Sequence, residues 1–104
     1  VVVVPFPFTD RATSKRRPAL VLSVPEFSSD TEHVILTMIT SAGQSSWPSD
    51  VPLIDGASTG LQAPSKVRWK LFTLHRALIL KKIGAVSRRD LAECRRTFPI
   101  SIRR

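Results

Sequence analysis

A small, strongly bent antiparallel β barrel of five to six strands, mainly β with one C-terminal helix, is the fold this sequence predicts. Three observations lead there. Short runs of β-branched and apolar residues recur between clusters of Gly, Pro and Ser. One stretch near the end carries a helical period behind an N-cap residue. A chain of 104 residues has room for one core, so residues 1–104 are expected to form a single domain.

Val1 to Val4 is a β-branched run, and Pro5 and Pro7 close it, so the first strand is expected to end near Phe6. With no Met before Val1, the chain is expected to begin inside that strand. Thr9 to Arg16 is polar and basic. Ala19 to Ser23 is a short apolar run with the length of a buried strand, and Pro25 to Glu32 has loop chemistry. His33 to Ser41 is the longest uninterrupted strand candidate and invites antiparallel pairing with the run before it. Ala42 to Asp50 reads as a Gly, Ser and Pro loop carrying Trp47; Val51 to Ile54 as a short strand broken by Pro52; Asp55 to Gly60 as a turn. From Lys66 to Leu74 the pattern has period two, with Val67, Trp69 and Leu71 on one side and the cations Lys66, Arg68 and Lys70 on the other, which predicts an outward basic row. Ser87-Arg88-Arg89-Asp90 resembles a capping box, and Leu91, Cys94 and Phe98 follow on one helical face. The helix is expected to stop before Pro99, leaving a tail that is frayed or an exposed strand fragment.

Charge narrows the function. Lys and Arg total 16 against 8 acidic residues, a net charge of +8. The first 52 residues carry four basic and five acidic side chains and the remaining 52 carry twelve and three, so the excess sits in the second half and a polyanion is the expected partner. Cys94 is the only cysteine, which excludes an internal disulfide and gives no zinc pattern. No apolar run reaches the roughly 18 residues of a membrane span, so no membrane association and a reducing cytoplasm are expected. Glycine-rich phosphate loops, Gly-x-Ser-x-Gly, histidine pairs at ligand spacing and acidic metal clusters are all absent from the sequence. No metal or cofactor is expected. Arginine, hydroxyl and aromatic chemistry remains, which suits phosphodiesters.

Strand register sharpens this. If the loop between the second and third strands is centred on residues 28 and 29, paired positions sum to about 57. Ser23 then faces Val34, and Arg17 faces Thr40. A guanidinium and a hydroxyl would meet at the open end of a hairpin, beside Lys15 and Arg16, as a phosphate site. Trp47 offers a surface to stack on a base or on a side chain of a protein partner, or else packs in the ordinary way, and Arg68 and Lys70 read as substrate contacts or as a solvated basic face. His33 and His75 read as structural, Cys94 as a small core residue, and the arginines of the helix as a solvated face.

The segments Val2–Asp10 and Ser14–Ser23 resemble the MazF/PemK family of bacterial toxins. Ile39-Thr40-Ser41, Gly60–Arg68 and Leu71–Leu74 with Lys82–Ser87 extend the resemblance, in order, over nearly the whole chain. It implies an SH3-like barrel, a homodimer, an acidic antitoxin as partner, and metal-independent, sequence-preferring cleavage of single-stranded RNA by attack of its own 2′-OH. Carried over by position, the resemblance implies that the family's arginine before proline is Arg17 and its strand hydroxyl Thr40, with Ser41 as a helper, Arg17 and Thr40 together making the catalytic pair. Some relatives set an aspartate two residues after the fifth-strand arginine; here Lys70 stands there, which leaves the proton acceptor open. A gyrase-poisoning toxin of the same fold and a non-catalytic RNA-binding barrel are the alternatives.

Overall fold

The computed structural model describes residues 1–5 and 16–98. The expectations for Phe6, Lys15 and the tail after Phe98 lie outside the described residues. Among the described residues six strands form one antiparallel sheet: β1 (Val2–Pro5), β2 (Arg16–Val21), β3 (His33–Ser41), β4 (Val51–Pro52), β5 (Ser65–His75) and β6 (Lys81–Lys82). Their order is β4-β5-β3-β2-β1-β6, so the sheet is barrel-like without closing. Among the described residues two α-helices flank it, α1 (Pro25–Thr31) and α2 (Arg88–Thr97).

The β2–β3 ladder pairs Ala19 with Met38, Leu20 with Thr37 and Val21 with Leu36, which is the register that a loop centred on residues 28 and 29 predicts. Past Val21 the ladder gives way, because the N–H groups of Leu22 and Ser23 both donate to the Ile35 carbonyl, at 2.8 and 3.4 Å. Ser23 meets β3 through its hydroxyl instead, accepting from the Ile35 N–H at 3.0 Å. The connection is helical where loop chemistry predicted a loop. Pro25 at the first helical position supplies a ready-made φ, and Glu32 closes the turn in the left-handed region (φ 61°), its N–H donating to Ser28 O at 2.8 Å. α1 buries none of its residues, so no apolar stripe announces it.

Side chains alternate along each strand, and two cores result. On one face Val2, Val4, Ala19, Val34, Leu36 and Phe72 pack together. On the other, Val1, Leu20, Ile39, Val51, Leu53 and Val67 meet Cys94 of α2. This two-sided use corrects the simple reading of β5, in which one side was to be apolar and the other solvated: Phe72 is buried while Leu71 is exposed. β3 and β5 slip register between Thr37 and Met38, passing from Thr37 opposite Leu71 to Met38 opposite Arg68. Thr37 is fully buried at the slip, and its hydroxyl is satisfied by donating to the Arg68 carbonyl.

α2 begins as the sequence predicts, with the Ser87 hydroxyl accepting from the Asp90 N–H at 3.2 Å. The other half of the capping box is not made. Asp90 is 1% exposed, and its carboxylate accepts from the N–H groups of Ile54 and Asp55 at 3.1 and 2.9 Å, joining the helix to the segment after β4. Arg89 and Ser87 both donate to the Asp55 carboxylate and tighten the same joint. On the same side of the sheet, Gly60 and Gly84 let two backbones cross. A Cβ on Gly60 would lie 2.1 Å from Ile83 O, and one on Gly84 would lie 2.3 Å from the Thr59 carbonyl carbon.

Candidate functional site

Arg17 pairs with Val4 on β1, and Thr40 pairs with Lys66 on β5. Continuing the β2–β3 register two residues beyond Ala19–Met38 sets Arg17 across from Thr40. Alternation then puts Arg17, Thr40, Lys66 and Arg68 on the face that carries Val2, Val4 and Ala19. Arg17 and Thr40 are both half-buried, and Arg16 is exposed beside them. Ser41 is exposed, and its hydroxyl accepts from the Gly43 N–H at 3.3 Å.

The basic row of β5 does not face solvent. Lys66 and Arg68 are 5% and 6% exposed, because both reach Asp50 at the end of the β3–β4 loop. Lys66 Nζ lies 3.3 Å from Asp50 Oδ2, Arg68 Nη2 lies 3.1 Å from the same oxygen, and Arg68 Nε donates to Oδ1 at 3.3 Å. The same cations hold the loop backbone: Lys66 donates to Gln44 O at 2.7 Å and Arg68 to Ser45 O. Burial pushes the Asp50 carboxyl upward, but donation from Arg68, the Trp47 N–H and Lys66 outweighs it and leaves the group below its ordinary range. Two cations share one carboxylate, so the cluster carries a formal charge of +1.

Trp47 stands over this cluster. Its N–H donates to Asp50 Oδ2 at 2.9 Å, and its carbonyl accepts from the Asp50 N–H at 3.3 Å across a turn with Pro48 second and Ser49 third, at φ 66°. The guanidinium carbon of Arg68 sits 4.7 Å from the indole centroid and the Lys70 ammonium 5.9 Å, while the residue as a whole remains 43% exposed. Trp69, in contrast, turns to the α2 side and packs on Phe98, with centroids 5.1 Å apart.

Neither Asp50 nor Lys66 is among the site residues that the sequence suggests, Lys66 being read only as part of an outward basic row. The available signal is that Asp50 is the only acidic residue between Glu32 and Asp55, and so the nearest carboxylate for a cationic strand. His33 and His75 lie elsewhere, paired with each other at the opposite end of β3 and β5, with rings 5.5 Å apart. Among the described residues no three His, Cys, Asp or Glu side chains gather as a metal site.

A small antiparallel sheet thus carries an arginine and a hydroxyl on adjacent strands beside a cationic cluster. The chain belongs to the PemK-like, MazF-like toxins of type II toxin-antitoxin systems, whose family model matches residues 1–102. Solved structures agree on the fold. The Mycobacterium tuberculosis toxin MazF-mt6 superposes with a TM-score of 0.72 at 18% identity, covering 98% of this chain and 96% of that one. MazF of Deinococcus radiodurans gives 0.70 at 25% identity over 97% and 92% of the two chains, and a MazE-MazF structure from the same organism gives 0.72 at 25% over 97% and 92%. No curated protein sequence matches. Among the described residues no helix is long and apolar enough to cross a membrane.

Proposed function

We propose that this chain is the toxin of a toxin-antitoxin pair and acts as a metal-independent endoribonuclease on single-stranded RNA, with Arg17 and Thr40 as its catalytic residues. The observation that carries the reading is the β2–β3 register, whose continuation sets these two residues across from one another beside Lys66. In the reaction the 2′-OH of one nucleotide attacks its own 3′-phosphate, the P–O bond to the next 5′ oxygen breaks, and the 2′-OH proton leaves while the departing oxygen gains one. Arg17 stabilises charge on the phosphoryl oxygens through its planar fork, and Thr40 donates to a phosphoryl oxygen or orients the 2′-OH. Arginine does not give up its proton near neutral pH, so Arg17 acts as an electrostatic clamp.

Arg16, Lys15 and Ser41 are assigned to RNA contact, with Lys70 and Trp47 at the far side of the site. Arg68, buried on Asp50, acts on the substrate through the loop it holds. An acidic antitoxin segment would cover the same cationic face, with binding that weakens as salt rises. The toxin is assigned as a homodimer, to be measured by light scattering at micromolar concentration.

Incubating the protein with single-stranded RNA in EDTA tests the reading. Fragments ending in a 2′,3′-cyclic phosphate with 5′-OH partners are the expected products, and a requirement for Mg²⁺ overturns it. Binding without cleavage is the second reading, favoured by the engagement of Asp50, an acid on this face, with two cations. The same assay separates the two.

A further inference from the structure

Trp47 is exposed without being loose. Five tethers fix the loop that carries it: Asp50 accepts from the Trp47 N–H, Trp47 O accepts from the Asp50 N–H, Lys66 and Arg68 hold the carbonyls of Gln44 and Ser45, and the Ala42 N–H donates to Pro64 O at 3.0 Å. The left-handed φ at Ser49, unfavourable for a residue with a Cβ, is kept in place by the Asp50 carboxylate closing back on the Trp47 N–H. Two cations back the ring. An apolar ring held rigid, cation-backed and open to solvent is a preorganised stacking surface, since the entropy of ordering it is spent before any ligand arrives.

We propose that Asp50 is the positioning residue of this site: by drawing Lys66 and Arg68 together it stands Trp47 as a stacking platform for an unpaired RNA base next to the phosphate held at Arg17 and Thr40. Thr40 pairs with Lys66, and Arg68 lies two residues further along β5 beneath the indole, so platform and phosphate site share one face. The cluster's formal +1 charge favours a polyanion over a neutral partner. Stacking is indifferent to base identity, so the platform adds affinity and leaves sequence choice to other contacts. The inference rests on single-stranded RNA being the ligand of this face, not on its being cut.

The probe is a short single-stranded RNA with 2′-O-methyl riboses, which binds but has no 2′-OH to attack. Trp47 emission, taken as wild type minus Trp47→Phe, should be quenched on titration. Trp47→Ala should weaken binding about tenfold, within the range expected for one stacked base, and Trp47→Phe should restore most of it. Asp50→Asn keeps an acceptor for the Trp47 N–H but not the ion pairs. It should match Trp47→Ala in affinity, abolish the quench, and add little further loss when combined with Trp47→Ala. On cleavable RNA it should raise KM and leave kcat near wild type.

Wild-type affinity in Trp47→Ala overturns the proposal, and so does an undiminished quench in Asp50→Asn. Trp47→Ala changes an exposed loop residue, so its result stands even if Asp50→Asn fails to fold. Quenching by an acidic peptide but not by the RNA assigns the surface to a protein partner and also overturns it. Binding and quenching without cleavage of ordinary RNA would sink the nuclease reading alone; cleavage without any Trp47 response would sink this one alone.

Discussion

Arg17 and Thr40 differ from their neighbours in what their loss should cost. Removing an oxyanion-type donor typically costs about 2.7–4 kcal/mol of transition-state stabilisation, or roughly a hundred- to a thousandfold in rate. Arg17→Ala and Thr40→Ala should each lose that much RNA cleavage in a single-turnover assay while keeping the wild-type melting profile, since neither side chain belongs to the two cores. Arg17→Lys should fail nearly as badly, because a point charge does not reproduce the two-pronged contact. Asp50 makes the opposite kind of prediction. Its folded pKa lies below its ordinary value of 3.8, so its contribution to stability is present above that value and lost as pH falls through the lower folded one. Urea midpoints measured from pH 6 downward should drop below about pH 4 in wild type. Asp50→Asn should lower stability near neutrality by about 1.5–3 kcal/mol and show a shallower acid limb. The β2–β3 register is legible in the sequence because it needs only a centred loop. Asp50 is not, because a lone acid in a Ser and Pro loop carries no period, and only the folded loop shows that it meets β5.

At the scale of elements, the start of α2 carries two separable contributions. Ser87 caps the helix, and Ser87→Ala should cost about 1 kcal/mol. Asp90 serves the chain outside its own helix, so Asp90→Ala leaves the part-buried Ile54 and Asp55 N–H groups without their acceptor and should cost about 1–3 kcal/mol, read from chemical denaturation. The order of the two effects is the test: a larger loss at Ser87 would mean that Asp90 merely continues the cap. The motif is visible in the sequence as Ser-x-x-Asp, but spacing alone does not say where the carboxylate points. The β strands are legible for the same reason that α1 is not. Strands here bury alternate residues and leave a period, whereas α1 buries nothing and owes its form to Pro25 and the left-handed Glu32. The cationic row of β5 reads as solvated because outward cations usually are, and it is Asp50, distant in sequence, that draws Lys66 and Arg68 inward.

For the whole molecule the crossing of residues 59–60 over 83–84 is decisive, since it ties the segment after β4 to the segment that returns past β6. Gly84→Ala would place a methyl against backbone atoms of Ser58 and Thr59, all within 2.5 Å, which no side-chain rotation relieves. Gly84→Ala should fail to fold, or melt well below wild type by circular dichroism. Ala85→Gly, one residue away with its N–H on Ser58 O at 2.9 Å, should leave the crossing intact and serves as the control. This fold therefore depends on two positions where the absence of a side chain lets the chain pass itself.

Cys94, finally, gives the protein an internal clock. The thiol is 3% exposed between α2 and the sheet, and burial, then the nearby charges of Asp90 and Glu93, push its pKa up to about 11. It stays protonated and shielded at neutral pH, so a thiol reagent reacts only in the moments when the helix lifts from the sheet. With reclosing faster than labelling, the labelling rate divided by that of the unfolded chain is the fraction of time α2 spends open. A ligand bound to the closed protein should lengthen the interval between openings, turning one buried sulfur into a stopwatch for occupancy on the opposite face of the sheet.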